Sequence, residues 1–198
     1  MFRLNGKCAE FFSVIVMASA LFISCATNRI EGPVTPAVYV TNTKKVNILT
    51  TENISKPMDE VQLFEGSFGG QSFSFPLYIN ADEKGMYVSI LNDVGTSMGE
   101  LSYSNGNVEF NSAVFPENMK AEYIVWDIQL AFYDPQSLKD RLAKFRLDFS
   151  VENDGVEEIR KIIDGKNVIE EIHSAGTSTV IKNHLRVYEY HLTGVLDE

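Results

Sequence analysis

Gln71-Ser72-Phe73-Ser74-Phe75-Pro76-Leu77-Tyr78-Ile79 carries the clearest period-two pattern in the chain. Phe73, Phe75, Leu77 and Ile79 alternate with Ser72, Ser74, Pro76 and Tyr78. Such alternation marks a strand with one buried face. Pro76 cannot donate a ladder hydrogen bond, so an edge strand or a bulge is expected there. Gly69-Gly70 turns the chain back onto a partner strand at residues 61–68. After the turn Asp82-Glu83-Lys84-Gly85, residues 86–91 are apolar on both faces, as in a central strand. Asn105-Gly106 is a two-residue hairpin signal between residues 100–104 and 107–113. Five strands therefore meander without a crossover.

The period then switches. Residues 122–133 read as a helix, with Ile124, Ile128, Ala131 and Phe132 on one face and Tyr123, Trp126, Leu130 and Tyr133 on another. Only Glu122, Asp127 and Gln129 are strongly polar, so this helix is expected to be largely buried. Asp134-Pro135 breaks it, and a second helix follows at residues 136–144 with Leu138 and Leu142 one turn apart. Strand patterning returns with Phe145, Leu147, Phe149 and Val151 alternating against polar neighbours. Asp164-Gly165 joins residues 156–163 to 167–173, Gly176 leads into 177–182, and 185–192 closes the pattern. In that last strand Tyr188, Tyr190 and Leu192 share a face with Arg186. The expected fold is mainly β with two helices (α+β). About ten antiparallel strands form a curved, incomplete barrel, capped by the helices inserted after the fifth strand.

The N-terminal region reads differently. A basic start containing Arg3 and Lys7 precedes a 13-residue apolar run at residues 11–23, followed at once by Ser24-Cys25. A membrane-crossing helix takes about 20 apolar residues, so this run has the length of a signal-peptide core instead. Phe22-Ile23-Ser24-Cys25 resembles a lipobox, with Phe22 where Leu is usual. The expected division is a signal peptide at 1–24, a lipidated N-terminus and tether at 25–58, and a β domain at 59–198. Within the tether, Val38-Tyr39-Val40 and Val46-Asn47-Ile48 are candidate short strands. An ordinary secretory signal and an uncleaved anchor are the alternatives to lipidation at Cys25.

Charge narrows the partners. The chain has 17 basic and 27 acidic side chains, for a net charge of −10. Loss of Arg3, Lys7 and Glu10 with the signal makes the remainder one charge more negative. Such a surface repels phosphate backbones, so no nucleic-acid partner is expected. It also repels anionic headgroups, so membrane attachment falls to acyl chains on Cys25. Cys8 would leave with the signal, which removes any intramolecular disulfide, and no zinc or iron–sulfur spacing is present. No cofactor is expected, and the chain is read as a monomer. Ala26 replaces the Asp that retains some lipoproteins at the inner membrane. The expected location is therefore the outer membrane facing the periplasm, with the inner membrane and cell surface left open.

Several stretches together resemble a known family. They are residues 95–103 (Gly-Thr-Ser-Met-Gly-Glu-Leu-Ser-Tyr), residues 123–131 (Tyr-Ile-Val-Trp-Asp-Ile-Gln-Leu-Ala), the Leu138/Leu142 helix, Arg160, and residues 164–172 (Asp-Gly-Lys-Asn-Val-Ile-Glu-Glu-Ile). Their order is similar to an uncharacterised family of bacterial lipoproteins that resembles the LolA/LolB carriers in fold. Its members often sit beside gene clusters for polyene lipids. The similarity covers residues 60–194, with Val125 standing where the family's Leu-x-Asp-x-Gln-Leu-Ala signature has its first Leu. It implies a helix lid over an apolar cavity able to house acyl chains. No residue here aligns with the exposed apolar residue of the LolB membrane-inserting loop.

Phe64, Phe68, Phe73, Phe75, Phe110, Phe145, Phe149 and Tyr188 make the sheet rich in aromatic rings. Phe73, Phe75, Phe110, Trp126, Phe145 and Phe149 are the candidate walls of a ligand cavity, since a lipid needs apolar walls and little else. A filled hydrophobic core is the competing reading. Asp127 lies on an apolar helix, and a buried carboxylate needs a partner; Arg160 is the candidate. His173, His184 and His191 match no zinc spacing, so no metal site is expected. No Gly-x-Ser-x-Gly elbow is present, and the glycines at 66, 69 and 70 flank a hairpin rather than a phosphate loop. No enzymatic activity is expected. Glu157, Glu158, Glu170 and Glu171 read as a solvated strand face. The leading expectation is a lipid-anchored carrier or acceptor of acylated or apolar lipid-like molecules, its ligand a lipid or a lipoprotein. The alternative is a structural or protein-interaction lipoprotein without a cavity.

Overall fold

The computed structural model describes residues 34–68, 71–115 and 120–194. Cys25, the signal segment and the Gly69-Gly70 turn lie outside the described residues. Among the described residues twelve strands and two α-helices follow one another, with one 3-10 turn at Thr51–Asn53: β1 (Ala37–Tyr39), β2 (Lys45–Asn47), β3 (Met58–Phe68), β4 (Gln71–Ala81), β5 (Met86–Leu91), β6 (Ser97–Ser104), β7 (Asn107–Ser112), α1 (Ala121–Phe132), α2 (Pro135–Ala143), β8 (Asp148–Asn153), β9 (Glu158–Asp164), β10 (Asn167–Ala175), β11 (Ser178–Asn183) and β12 (Tyr188–Gly194).

Ten of the strands form one antiparallel sheet in the order β7-β6-β5-β4-β3-β12-β11-β10-β9-β8. Two five-strand meanders are thus zipped together by the first strand of one and the last of the other, with His191 opposite Glu65 and Tyr190 opposite Gly66. The two edges, β7 and β8, are the strands that flank the helical insertion. The sheet curves without closing, and its open seam falls where the chain leaves to build α1 and α2.

The turns follow their chemistry. Asn105 and Gly106 take φ of 49° and 80°, both in the left-handed region that a tight hairpin requires. Gly66 serves close approach instead: a Cβ there would lie 2.7 Å from the Tyr190 Cβ. Its absence lets the Tyr190 ring lie across β3. Asp134 ends α1 and caps α2, its carboxylate accepting from the Ser137 N–H at 2.8 Å with Pro135 at the first helical position.

Four sequence expectations need correction. Residues 34–58, expected as a tether with short candidate strands, form those strands but are packed into the core. β1 and β2 pair as a hairpin, and Val38, Val40, Val46, Ile48 and Leu49 are buried in the core. Three-residue strands have too short a pattern to declare a buried face by themselves. β4 is not an edge strand, and its register with β3 runs without a bulge. Its ladder to β5 covers only Leu77 to Ala81, so Pro76 sits where that second side has no strand partner. The strand expected from Phe145 begins at Asp148. Phe145 to Leu147 close the end of α2, where the Phe145 and Leu147 N–H groups both donate to the Leu142 carbonyl. β12 begins at Tyr188, since Arg186 and Val187 belong to the turn before it and Val187 takes a φ of 56°.

Candidate functional site

Helix α1 lies on the inner face of the sheet with Val125, Trp126, Asp127, Ile128, Gln129, Leu130 and Ala131 all buried. Burying two strongly polar side chains on one helix demands partners for both. Gln129 finds them in residues that precede the sheet. Its amide oxygen accepts from the Leu49 N–H at 2.8 Å and its amide nitrogen donates to the Leu49 carbonyl at 2.7 Å. The Tyr103 hydroxyl donates to the same carbonyl at 2.7 Å. This pair of hydrogen bonds ties the segment around Leu49 to α1.

Asp127 points to β10 and β12. Tyr190 donates to its Oδ2 at 2.5 Å, and the Tyr188 hydroxyl lies 2.9 Å from the same oxygen and 3.3 Å from Glu170 Oε1. Asp127 and Glu170 are 4 % and 1 % exposed. The expected Asp127–Arg160 ion pair does not form. Arg160, also buried, donates to the carbonyls of Leu130 at 3.0 Å and Tyr133 at 2.8 Å, and its Nε pairs with Glu158 at 2.8 Å. Those carbonyls end α1, where a cation is favoured by the helix dipole and by unpaired acceptors.

Proton accounting follows from these contacts. A phenol carries one hydrogen, so Tyr188 cannot donate to both carboxyls at once. Burial pushes the Asp127 carboxyl up to about 6, against the pull of Tyr190, Glu170 and Tyr188. Burial, and then the Asp127 charge, drives Glu170 well above the usual carboxylate range. While Glu170 holds a proton, the two phenol hydrogens are free to serve Asp127. Burial raises both tyrosines as well, so neither ionises.

Glu170 was read as solvated, and the structure overturns that. The β9–β10 register shifts between Val168 and Glu170, so Ile169 and Glu170 are both buried. A bulge re-aims a side chain in this way.

From this cluster a row of rings crosses the inner face. Tyr188 stacks on Tyr190 at 5.8 Å between centroids, Tyr190 meets Phe64 at 5.3 Å, and Phe64 stacks on Phe75 at 5.0 Å. Phe75 and Phe73 each lie 5.8 Å from Phe115, and Phe110 lies 6.5 Å from it. Three of the six candidate cavity residues, Phe73, Phe75 and Phe110, thus share one aromatic belt. Phe115 joins them unforeseen, because it falls after the last clear strand pattern. The other three lie elsewhere. Phe149 is buried on β8 opposite Ile162, Phe145 packs at the end of α2, and Trp126 is buried on α1. Phe64, Phe73, Phe110, Phe115, Tyr188 and Tyr190 are only partly buried, whereas Val125, Leu130, Leu138 and Leu142 are fully shielded.

The outer face is polar. His173 Nδ1 lies 2.8 Å from Glu157, His184 Nε2 2.8 Å from Glu171, and His191 Nε2 3.2 Å from Glu189. His173 and His191 both oppose Val180 from either side, so they do not meet. Among the described residues no group of side chains is arranged to hold a metal. An open groove of about 460 Å³ runs over β12, β3 and β4 between Glu65, Ser74, Glu189 and His191. Among the described residues no helix is long and apolar enough to cross a membrane.

Residues 59–195 match the family described as protein of unknown function (DUF3261), and the chain belongs to that family. No curated protein matches it.

Proposed function

We propose that this member of the family is a lipid-anchored envelope lipoprotein with a LolA/LolB-like incomplete barrel. It carries or accepts acylated or otherwise apolar molecules at the outer membrane, and its role is not enzymatic. The observation that carries this reading is the aromatic belt from Tyr188 to Phe110, six of whose rings stay partly buried on the concave side of an unclosed sheet. A globular core shields its rings; a wall awaiting an apolar ligand leaves them accessible. The short apolar run ending at Ser24-Cys25 supports anchorage through acyl chains.

Native mass spectrometry of the gently extracted protein tests the carrier role. A co-purifying apolar adduct that is lost in Phe64→Ser/Phe73→Ser supports it, and a ligand-free mass in every preparation contradicts it. Anchorage is tested separately by labelled palmitate, with incorporation expected in the native chain and absent in Cys25→Ser. A second reading, a structural or protein-interaction lipoprotein, draws on the acidic outer groove between Glu65 and Glu189. It predicts the ligand-free mass.

A further inference from the structure

Helix α1 is fastened to its surroundings at three levels. At its first turn Arg186 lies over the Tyr123 ring, 4.8 Å from the centroid, and donates to the Tyr39 carbonyl. At its last turn Gln129 grips Leu49, Arg160 caps the carbonyls of Leu130 and Tyr133, and the Ser55 and Lys56 N–H groups donate to Phe132. These outer fastenings use two permanent cations, an amide and backbone groups, none of which changes charge in the physiological range. The middle fastening is different in kind. It consists of Asp127 from α1 against Glu170 from β10 and Tyr188 and Tyr190 from β12.

The geometry points to a proton-operated latch: the Asp127–Glu170 pair holds the middle of α1 on β10 and β12 while protonated, and loosens it as pH rises. Without a carboxyl proton, two buried carboxylates compete for two phenol hydrogens. Arg186 is the cation whose charge favours their ionised forms, and its guanidinium is already engaged with Tyr39 and Tyr123. Both carboxyls titrate above their ordinary range, so the fastened state binds more protons than the loosened one. Its advantage is full below about pH 4, the ordinary carboxyl value, and declines as pH climbs. The decline runs through Asp127's range near 6 and through the raised range of Glu170. Loosening uncovers the inner face beside Tyr190, where the aromatic belt begins. The latch goes beyond the carrier reading and stands whether or not a ligand is found.

Trp126 is the chain's single tryptophan, buried on α1 next to Asp127, and it reports the latch directly. The experiment is acrylamide quenching of Trp126 fluorescence in the full-length chain, with far-UV circular dichroism recorded alongside. The quenching constant should rise about twofold or more between about pH 5 and about pH 8 while the dichroism holds steady. Asp127→Asn and Glu170→Gln should each flatten that rise. Glu170→Gln imitates the protonated side chain at every pH, so it keeps the test alive if Asp127→Asn fails to fold. A flat native profile overturns the latch. So does an undiminished rise in Glu170→Gln, or a rise that coincides with loss of the dichroism signal.

Discussion

Gln129 and Asp127 stand two residues apart on α1, and each ties a different face of the helix to a different part of the chain. Gln129 meets the backbone of Leu49 with an acceptor and a donor, at 2.8 and 2.7 Å, and is saturated at any pH. Asp127 meets a second carboxyl and two phenols, and its satisfaction depends on who holds the proton. Both side chains are buried on the same apolar helix. One face is a fixed joint, and the other is a joint with a chemical variable in it. Burial alone does not say which is which; the charge state of the partner does.

The largest test of that contrast is Gln129→Leu. It strands the N–H of Leu49 and weakens the support of its carbonyl, so stability should fall by about 3 kcal/mol. The loss should be the same at acid and neutral pH, as urea unfolding at both would read. A strongly pH-dependent loss would make the two faces alike and break the comparison. Tyr190→Phe removes the 2.5 Å donor to Asp127 and should cost about 2 kcal/mol near neutral pH. That cost should shrink on acidification, because a protonated Asp127 no longer needs a charge-assisted bond. Equal costs at both pH values would assign Tyr190 a packing role only. The smallest effect is a gain. Val187 is β-branched and holds a φ of 56° in the turn before β12. Val187→Gly should stabilise by about 1 kcal/mol in a thermal melt without altering either face of α1.

Much of the architecture was legible in the sequence for local reasons. Hairpin chemistry at Asn105-Gly106 and Asp164-Gly165, period-two runs such as residues 71–79, and the switch of period at α1 each depend on neighbours a few residues apart. The two short strands β1 and β2 were legible as candidates, but their burial was not, because it is tied to Leu49 reaching Gln129, eighty residues away. The candidate site divided along the same line. Asp127 and Arg160 were both read as buried charges needing partners, which they are. Their partners were not legible, because the register of a helix on a sheet is tertiary. Arg160 lands under the C-terminal carbonyls of α1, a turn beyond Asp127. Glu170 was hidden by one inserted residue: the bulge at Ile169 changes the phase of β10 just where the acid turns inward. The aromatic belt was visible as composition, but which rings join it follows from β12 pairing with β3.

The most direct test of the account is a carbon-13 NMR titration of the side-chain carboxyls of Asp127 and Glu170. The account predicts that Asp127 titrates near 6 and Glu170 above the ordinary carboxyl range, with the two transitions perturbing each other. Both carboxyls titrating independently near 4, the ordinary value, would contradict it.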